Sequence, residues 1–175
     1  MKSGFVSIIG RPNTGKSTLL NTILGHKVAI ISNVAGTTRN TVQGVYNDED
    51  SQIVFVDTPG IHKPKNKLGK YLNRQSYSSL NESDLILFVV DATEKLGAGD
   101  KFITTTLKNI DIPVILVLNK IDKLDENGII EAIREYKDLY KFTEIIPVSA
   151  KDEDNIERLI KISKNYLTDE IIYYD

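Results

Sequence analysis

The chain has no cysteine and no tryptophan, and only two histidines and one methionine among its 175 residues. Without cysteine there is neither a disulfide framework nor a thiolate metal site. The histidines, His26 and His62, lie far apart in sequence, which argues against a histidine-built zinc centre. An excess of one charge is lacking too. Twenty-two basic side chains face 24 acidic ones, a net charge of −2, so the chain as a whole is no basic nucleic-acid binder. No apolar run approaches the ~20 residues of a membrane-spanning helix. The short apolar stretch near the start runs into a glycine loop, not into a small-residue cleavage site. What remains is the expectation of one soluble, cytoplasmic domain, long enough to bury a core.

Short β-rich runs alternate with helical patterns. FVSII (5–9), IVFVD (53–57), LILFVVD (85–91), VILVLNK (114–120) and EIIPVSA (144–150) read as strands. The third and fourth are almost wholly apolar, as in parallel strands covered on both faces. TVQGVYNDEDSQIVFVDT reads as two strands joined by a polar turn, a hairpin that adds one antiparallel strand. Helices are expected over 16–24 (stopping at Gly25), 100–109, 127–140 and 153–167. In the last, Ile156, Leu159, Ile160, Ser163 and Leu167 share one face. The alternation predicts an α/β fold: a six-stranded, mostly parallel sheet between layers of helices. Segments 27–41 and 60–66 fit no regular element, and loops of that length in a compact domain tend to be functional.

The octapeptide GRPNTGKS, residues 10–17, matches the phosphate-binding pattern G-x-x-x-x-G-K-[ST] between a strand and a helix. Gly10 and Gly15 let the backbone curl through Arg11, Pro12, Asn13 and Thr14 so that N–H groups face an anion. Lys16 supplies a charge to the β- and γ-phosphates, Ser17 a ligand for Mg²⁺, and Thr18 continues a helix whose N-terminus favours anions. DTPG, Asp57 to Gly60, ends a second apolar strand at the same sheet edge. Asp57 is suited to hold Mg²⁺ through water and Gly60 to offer its N–H to a γ-phosphate; Thr58 and Pro59 belong to the same nucleotide-binding set, and Pro59 rules out continuing the strand. NKID, 119–122, ends a third strand. Asp122 can accept from N1–H and N2–H₂ of guanine, whereas adenine leaves a carboxylate there unpaired. Asn119 is expected to tie this loop to the phosphate loop, the Lys120 stem to cover the base, and Ala150, between Ser149 and Lys151, to reach guanine O6. In AGTTRN (35–40) two threonines, Thr37 and Thr38, compete to close on the γ-phosphate through Mg²⁺.

Taken in order, these motifs resemble those of small GTPases related to translation factors, and in detail the bacterial Era family. GRPNTGKSTLLN, TTRN, VFVDTPGIHKPKNKLG, LILFVVDA and NKID all read like its GTPase domain. Ala35–Gly36 departs from the pair expected there and resembles the tRNA-modification GTPase MnmE or the tandem GTPase Der. The resemblance implies a Ras-like P-loop fold over 1–168, with 169–175 beginning a linker. It implies GTP hydrolysis with Mg²⁺, Thr38 as the threonine that meets the metal, and slow intrinsic turnover. It also implies that the parent protein binds small-subunit rRNA and the 30S subunit through a C-terminal KH domain, for which no G-x-x-G context occurs here. Peripheral membrane association is a further family expectation, and the GTPase domain alone is expected to be monomeric. The MnmE- or Der-like alternative would place the domain in tRNA modification or large-subunit assembly.

Where many small GTPases carry a water-orienting glutamine after DTPG, this chain has Ile61, which can neither donate nor accept. His62 is either a solvated loop residue or a water-positioning one, and Arg39 is only a formal arginine-finger candidate. By resemblance to MnmE and Der, Asn13 is expected to help bind K⁺ beside the phosphates. The plainer reading is that asparagine tolerates the loop's dihedral angles. HKPKNKLGK, 62–70, reads as a solvated segment or a contact for RNA.

Overall fold

The computed structural model describes residues 2–26, 41–57 and 80–169. Its elements run β1 (Lys2–Ile9), α1 (Lys16–His26), β2 (Thr41–Asn47), β3 (Ser51–Asp57), β4 (Leu85–Asp91), α2 (Ala98–Leu107), β5 (Val114–Asn119), a 3₁₀ turn (Ile121–Lys123), α3 (Glu126–Tyr136), β6 (Glu144–Pro147), α4 (Ile156–Lys164) and β7 (Thr168–Asp169). Six strands form the expected sheet in the order β2-β3-β1-β4-β5-β6, parallel except for β2 in the hairpin. The two-residue β7 pairs antiparallel with Lys2 and Ser3 of β1, a stretch that β4 leaves open because its own pairing begins at Val6.

Burial follows the hydrophobic pattern. All seven residues of β4 and all six of β5 are buried, because helices cover both faces there. On one face α1 and α4 pack Leu19, Leu20, Ile23, Ile156, Leu159 and Ile160 against Val6, Ile8, Phe55 and Val117. On the other, Ile103 and Leu107 of α2 and Ala132 and Tyr136 of α3 cover Ile9, Phe88, Val90 and Leu116. The expected face of α4, with Leu167 beyond it, is buried.

Several element ends depart from expectation. Helix α1 does not stop at Gly25 but runs to His26. Helix α4 begins at Ile156, three residues late, because Glu153 and Asn155 adopt left-handed φ of 58° and 64°. Helix α3 ends at Tyr136, and the Tyr140 hydroxyl beyond it donates to the carbonyl of Leu107 on α2. Strand β1 starts at Lys2, before the apolar run, since it pairs along its length with β3 from Lys2↔Ser51 to Ile8↔Asp57.

The hairpin turn is organised by Asp48. Its Oδ1 accepts from the N–H groups of Asp50 and Ser51 and from the Ser51 hydroxyl, an Asx-type turn. Its Oδ2 accepts from the Tyr46 hydroxyl and from Lys164, so the hairpin is clamped to the end of α4. Burial alone would raise the Asp48 carboxyl, but hydrogen bonds from Lys164, Ser51 and Asp50 outweigh it and hold the group below the usual carboxylate range. A depressed carboxylate contributes stability above its unfolded value of 3.8, lost as pH falls through the folded value. Asp48→Asn is therefore expected to cost about 2 kcal/mol at neutral pH in denaturant titrations. The gap from wild type should narrow as the solution is acidified toward the range where both chains are uncharged at this site. A pH-independent gap would show that the carboxylate charge is not what stabilises the turn.

Candidate functional site

The carboxyl ends of β1, β3, β4 and β5 lie along one edge of the sheet, and the segments that follow them meet there. The first is the glycine-rich loop. Its carbonyls are directed at protein donors one after another. That of Gly10 accepts from Lys16 Nζ (2.7 Å), Arg11 from the Thr14 hydroxyl (3.0 Å), Asn13 from Lys120 Nζ (2.9 Å) and Thr14 from Asn119 Nδ2 (2.9 Å). The Gly15 carbonyl accepts from Leu19 N–H and so begins α1. A loop whose carbonyls are so engaged, running straight into a helix N-terminus, has the features that favour an anion such as phosphate.

This curl depends on unusual backbone angles. Gly10 and Gly15 have φ of +151° and +94°, and Asn13 is left-handed at 66°. A Cβ on Gly10 would lie 2.3 Å from the Val89 carbonyl oxygen, and one on Gly15 would lie 2.2 Å from Asn119 Nδ2. The asparagine at position 13 thus has a conformational reason to be there, since Asn tolerates this region better than most residues.

Asn119 joins the phosphate loop to the segment after β6. Nearly fully buried, it donates to Thr14 and accepts from the N–H of Ala150 (3.0 Å). Lys120 takes a left-handed φ of 73°, uncommon for lysine, and this directs its ammonium back to Asn13 and to the buried Asp91 (2.9 Å). Burial would raise the Asp91 carboxyl, but hydrogen bonds from Thr93 and Lys120 hold it below its ordinary value. Asp122 is exposed, with one oxygen accepting from the Ser149 hydroxyl (2.8 Å), which leaves the other available. Gly15, Thr18, Asn119, Lys120, Asp122, Ala150 and Lys151 line a cleft that opens to solvent beside the loop.

Most of the expected set therefore converges: Gly10, Asn13, Thr14, Gly15, Lys16, Ser17, Thr18, Asn119, Lys120, Asp122, Ser149, Ala150 and Lys151 share the loop and its cleft. Pro12 is exposed at the loop's crest. Arg11 differs: its guanidinium leaves the loop for Asp100 on α2 and faces no part of the cleft's lining. The backbone of Asp57 ends β3, paired with Thr41 and Ile8, at the level of the loop. Its side chain, and Thr37, Thr38, Arg39, Thr58, Pro59, Gly60, Ile61, His62 and the lysines of 62–70, lie outside the described residues.

Among the described residues no group of three metal-ligating side chains exists. The Ser17 hydroxyl is nonetheless the kind of hard oxygen donor that Mg²⁺ takes. The exposed hydroxyl of Ser17 lines a second cleft beside Lys16, Gln43 and Val56, and an ion bound chiefly by phosphates and water needs few protein ligands. Two participants escaped the sequence reading, Asp91 and Gln43. Asp91 ends an apolar strand as Asp57 does, and that parallel could have flagged it. Gln43 sits at a break in the β2–β3 register between Val42 and Gly44, and strict alternation along the strand hides it.

A family model described as 50S ribosome-binding GTPase matches residues 5–120. Among solved structures, Era in complex with MgGDPNP and nucleotides 1506–1542 of 16S ribosomal RNA is 44% identical, with a TM-score of 0.82, over 100% of this chain and 60% of that one. A variant of Aquifex aeolicus Era bound to GDP·AlF₄⁻ is 43% identical, with a TM-score of 0.81, over 100% of this chain and 60% of its own. The FeoB G-domain from Methanococcus jannaschii is 27% identical, with a TM-score of 0.67, over 95% of this chain and 98% of its own. The chain thus spans about 60% of the length of the two Era structures.

Proposed function

Because the chain belongs to the family of 50S ribosome-binding GTPases, we propose that it is a guanine-specific Mg²⁺–GTP switch whose parent protein acts in small-subunit assembly. The observation that carries the nucleotide reading is Asn119, which bonds the phosphate loop through Thr14 and the base cleft through Ala150 with one amide. Phosphate and base contacts are thereby held in one register, as recognition of a whole nucleotide requires.

In this reading Ser17, Thr38 and, through water, Asp57 hold Mg²⁺, which when bound neutralises charge on the phosphates. Lys16, which here bonds the Gly10 carbonyl, reaches for the β- and γ-phosphates, and Gly60 offers its N–H to the γ-phosphate. Asp122 accepts from the guanine edge, while Lys120 covers one face of the base. Asn13 contributes to K⁺ binding, and turnover is slow because Ile61 cannot orient water. Phosphate release from Mg²⁺–GTP is expected to be several-fold faster in KCl than in NaCl at equal ionic strength. Equal rates would remove K⁺ from the mechanism and leave the left-handed φ of Asn13 as the reason for its identity.

Cytoplasmic localisation, a monomeric GTPase domain, binding of 16S rRNA and the 30S subunit by the parent protein, and any membrane association belong to the same proposal. The likeness to Era in complex with 16S ribosomal RNA supports the rRNA partner. Ala35–Gly36 alone favours a MnmE- or Der-like assignment, whereas 44% identity to Era extends over the whole chain. The decisive measurement is equilibrium binding of GDP against ADP with Mg²⁺. Equal affinity for the two would overturn guanine specificity.

A further inference from the structure

The second residue of the phosphate loop behaves unlike its neighbours. Helix α1, which carries Lys16 and Ser17, packs on one face of the sheet, while the side chain of Arg11 crosses to the other, where α2 and α3 lie. There its Nε donates to Asp100 Oδ1 at 2.9 Å. Asp100, in the first turn of α2, has a side chain only 1% exposed. Its second oxygen accepts from Gly97 N–H at 3.1 Å and faces the Tyr136 hydroxyl of α3 at 3.5 Å. A buried carboxylate needs such compensation, and Arg11 supplies its only cationic partner among the described residues. The approach is close: a Cβ on Gly99 would lie 2.7 Å from Arg11 Cδ. The other end of the guanidinium meets Glu94 at 3.2 Å, but that carboxylate is half exposed and contributes little.

We propose that Asp100 is a positioning residue for nucleotide binding: through Arg11 it braces the phosphate loop from the sheet face opposite α1. The loop's other ties, to Lys16, Lys120 and Asn119, all pull on its carbonyls from the α1 and nucleotide side. Next to Arg11, Gly10 is wedged against Val89 with a backbone that would otherwise be free to relax. An anchor on the far side fixes the start of the curl, so that the N–H groups are aimed before phosphate arrives and less ordering remains for binding to supply. Nothing in G-x-x-x-x-G-K-[ST] asks for an arginine at its second place; the buried carboxylate 89 residues away does.

The inference rests on the nucleotide-binding reading but can be tested apart from it. The test takes Asp100→Asn, Arg11→Gln and their double variant, with Arg11→Lys retaining charge and Glu94→Gln as the exposed control. Two quantities are read: affinity for a fluorescent GDP with Mg²⁺, and amide hydrogen exchange of residues 10–16 without nucleotide. Each single variant is expected to weaken GDP about tenfold and speed loop exchange by a similar factor. The double variant should be no worse than the worse single, Arg11→Lys should recover part of the loss, and Glu94→Gln should match wild type. Unchanged loop exchange in Asp100→Asn would overturn the brace whether or not GDP binds. So would additive losses in the double variant, or exchange that rises equally throughout the domain. If wild type fails to bind GDP while Asp100→Asn still loosens the loop, the guanine reading falls and the brace stands.

Discussion

Asp122→Asn is expected to lower affinity for GTP and GDP by about a hundredfold or more and to shift preference toward xanthine nucleotides. The carboxylate has one oxygen engaged by Ser149, which leaves its other oxygen to accept from the base. Guanine presents two donors on that edge. An asparagine amide turns one acceptor into a donor and sets N–H against N–H. Xanthine carries a carbonyl where guanine has its amino group, so the amide pairs with it and affinity returns. Because Asp122 is exposed, the substitution should change folding stability by less than about 0.5 kcal/mol, which separates recognition from unfolding. Titrations with GDP and XDP on the same preparation check it. Unchanged GDP affinity would remove Asp122 from the base site.

The second large effect concerns the loop backbone. Gly10→Ala is expected to destabilise the chain by about 3 kcal/mol and to abolish measurable nucleotide binding. Its φ of +151° lies where a Cβ is strained, and the added methyl would meet a backbone oxygen, that of Val89 on β4, at 2.3 Å. A carbonyl inside a strand buried on both faces cannot step aside. Gly25→Ala is the matched control. That glycine lies inside α1 with nothing within 4 Å of an added Cβ, so alanine should stabilise by roughly 0.5–1 kcal/mol. Thermal unfolding of the two variants should move in opposite directions. A Gly10→Ala chain as stable as wild type and still able to bind GDP would mean that the loop does not need this backbone conformation.

Much of this protein is written locally. Apolar runs long enough to be covered on both faces could only become interior parallel strands, and β4 and β5 formed over the residues so marked, save the final Lys120. GRPNTGKS and NKID come together because each stands directly behind a parallel strand, and the carboxyl ends of parallel strands share an edge. Element ends were less legible. Whether Gly25 stops a helix, or Asn155 delays one, depends on what the following residues pack against, and a single residue type does not encode that.

The sequence by itself determined the order of the strands and helices it predicted and the spacing of the loop motifs behind them, since these follow from periodicity and short-range chemistry. Only the tertiary structure decided which groups act on the loop from a distance. Arg11, written inside the motif, turned out to serve Asp100, while Asp91, written outside it, holds Lys120 against the loop. Both pairings join residues far apart in the chain, 89 and 29 positions. A buried carboxylate takes whichever cation the packed sheet brings within reach, because an unpaired charge there is too costly to leave. Spacing along the chain carries no record of that choice.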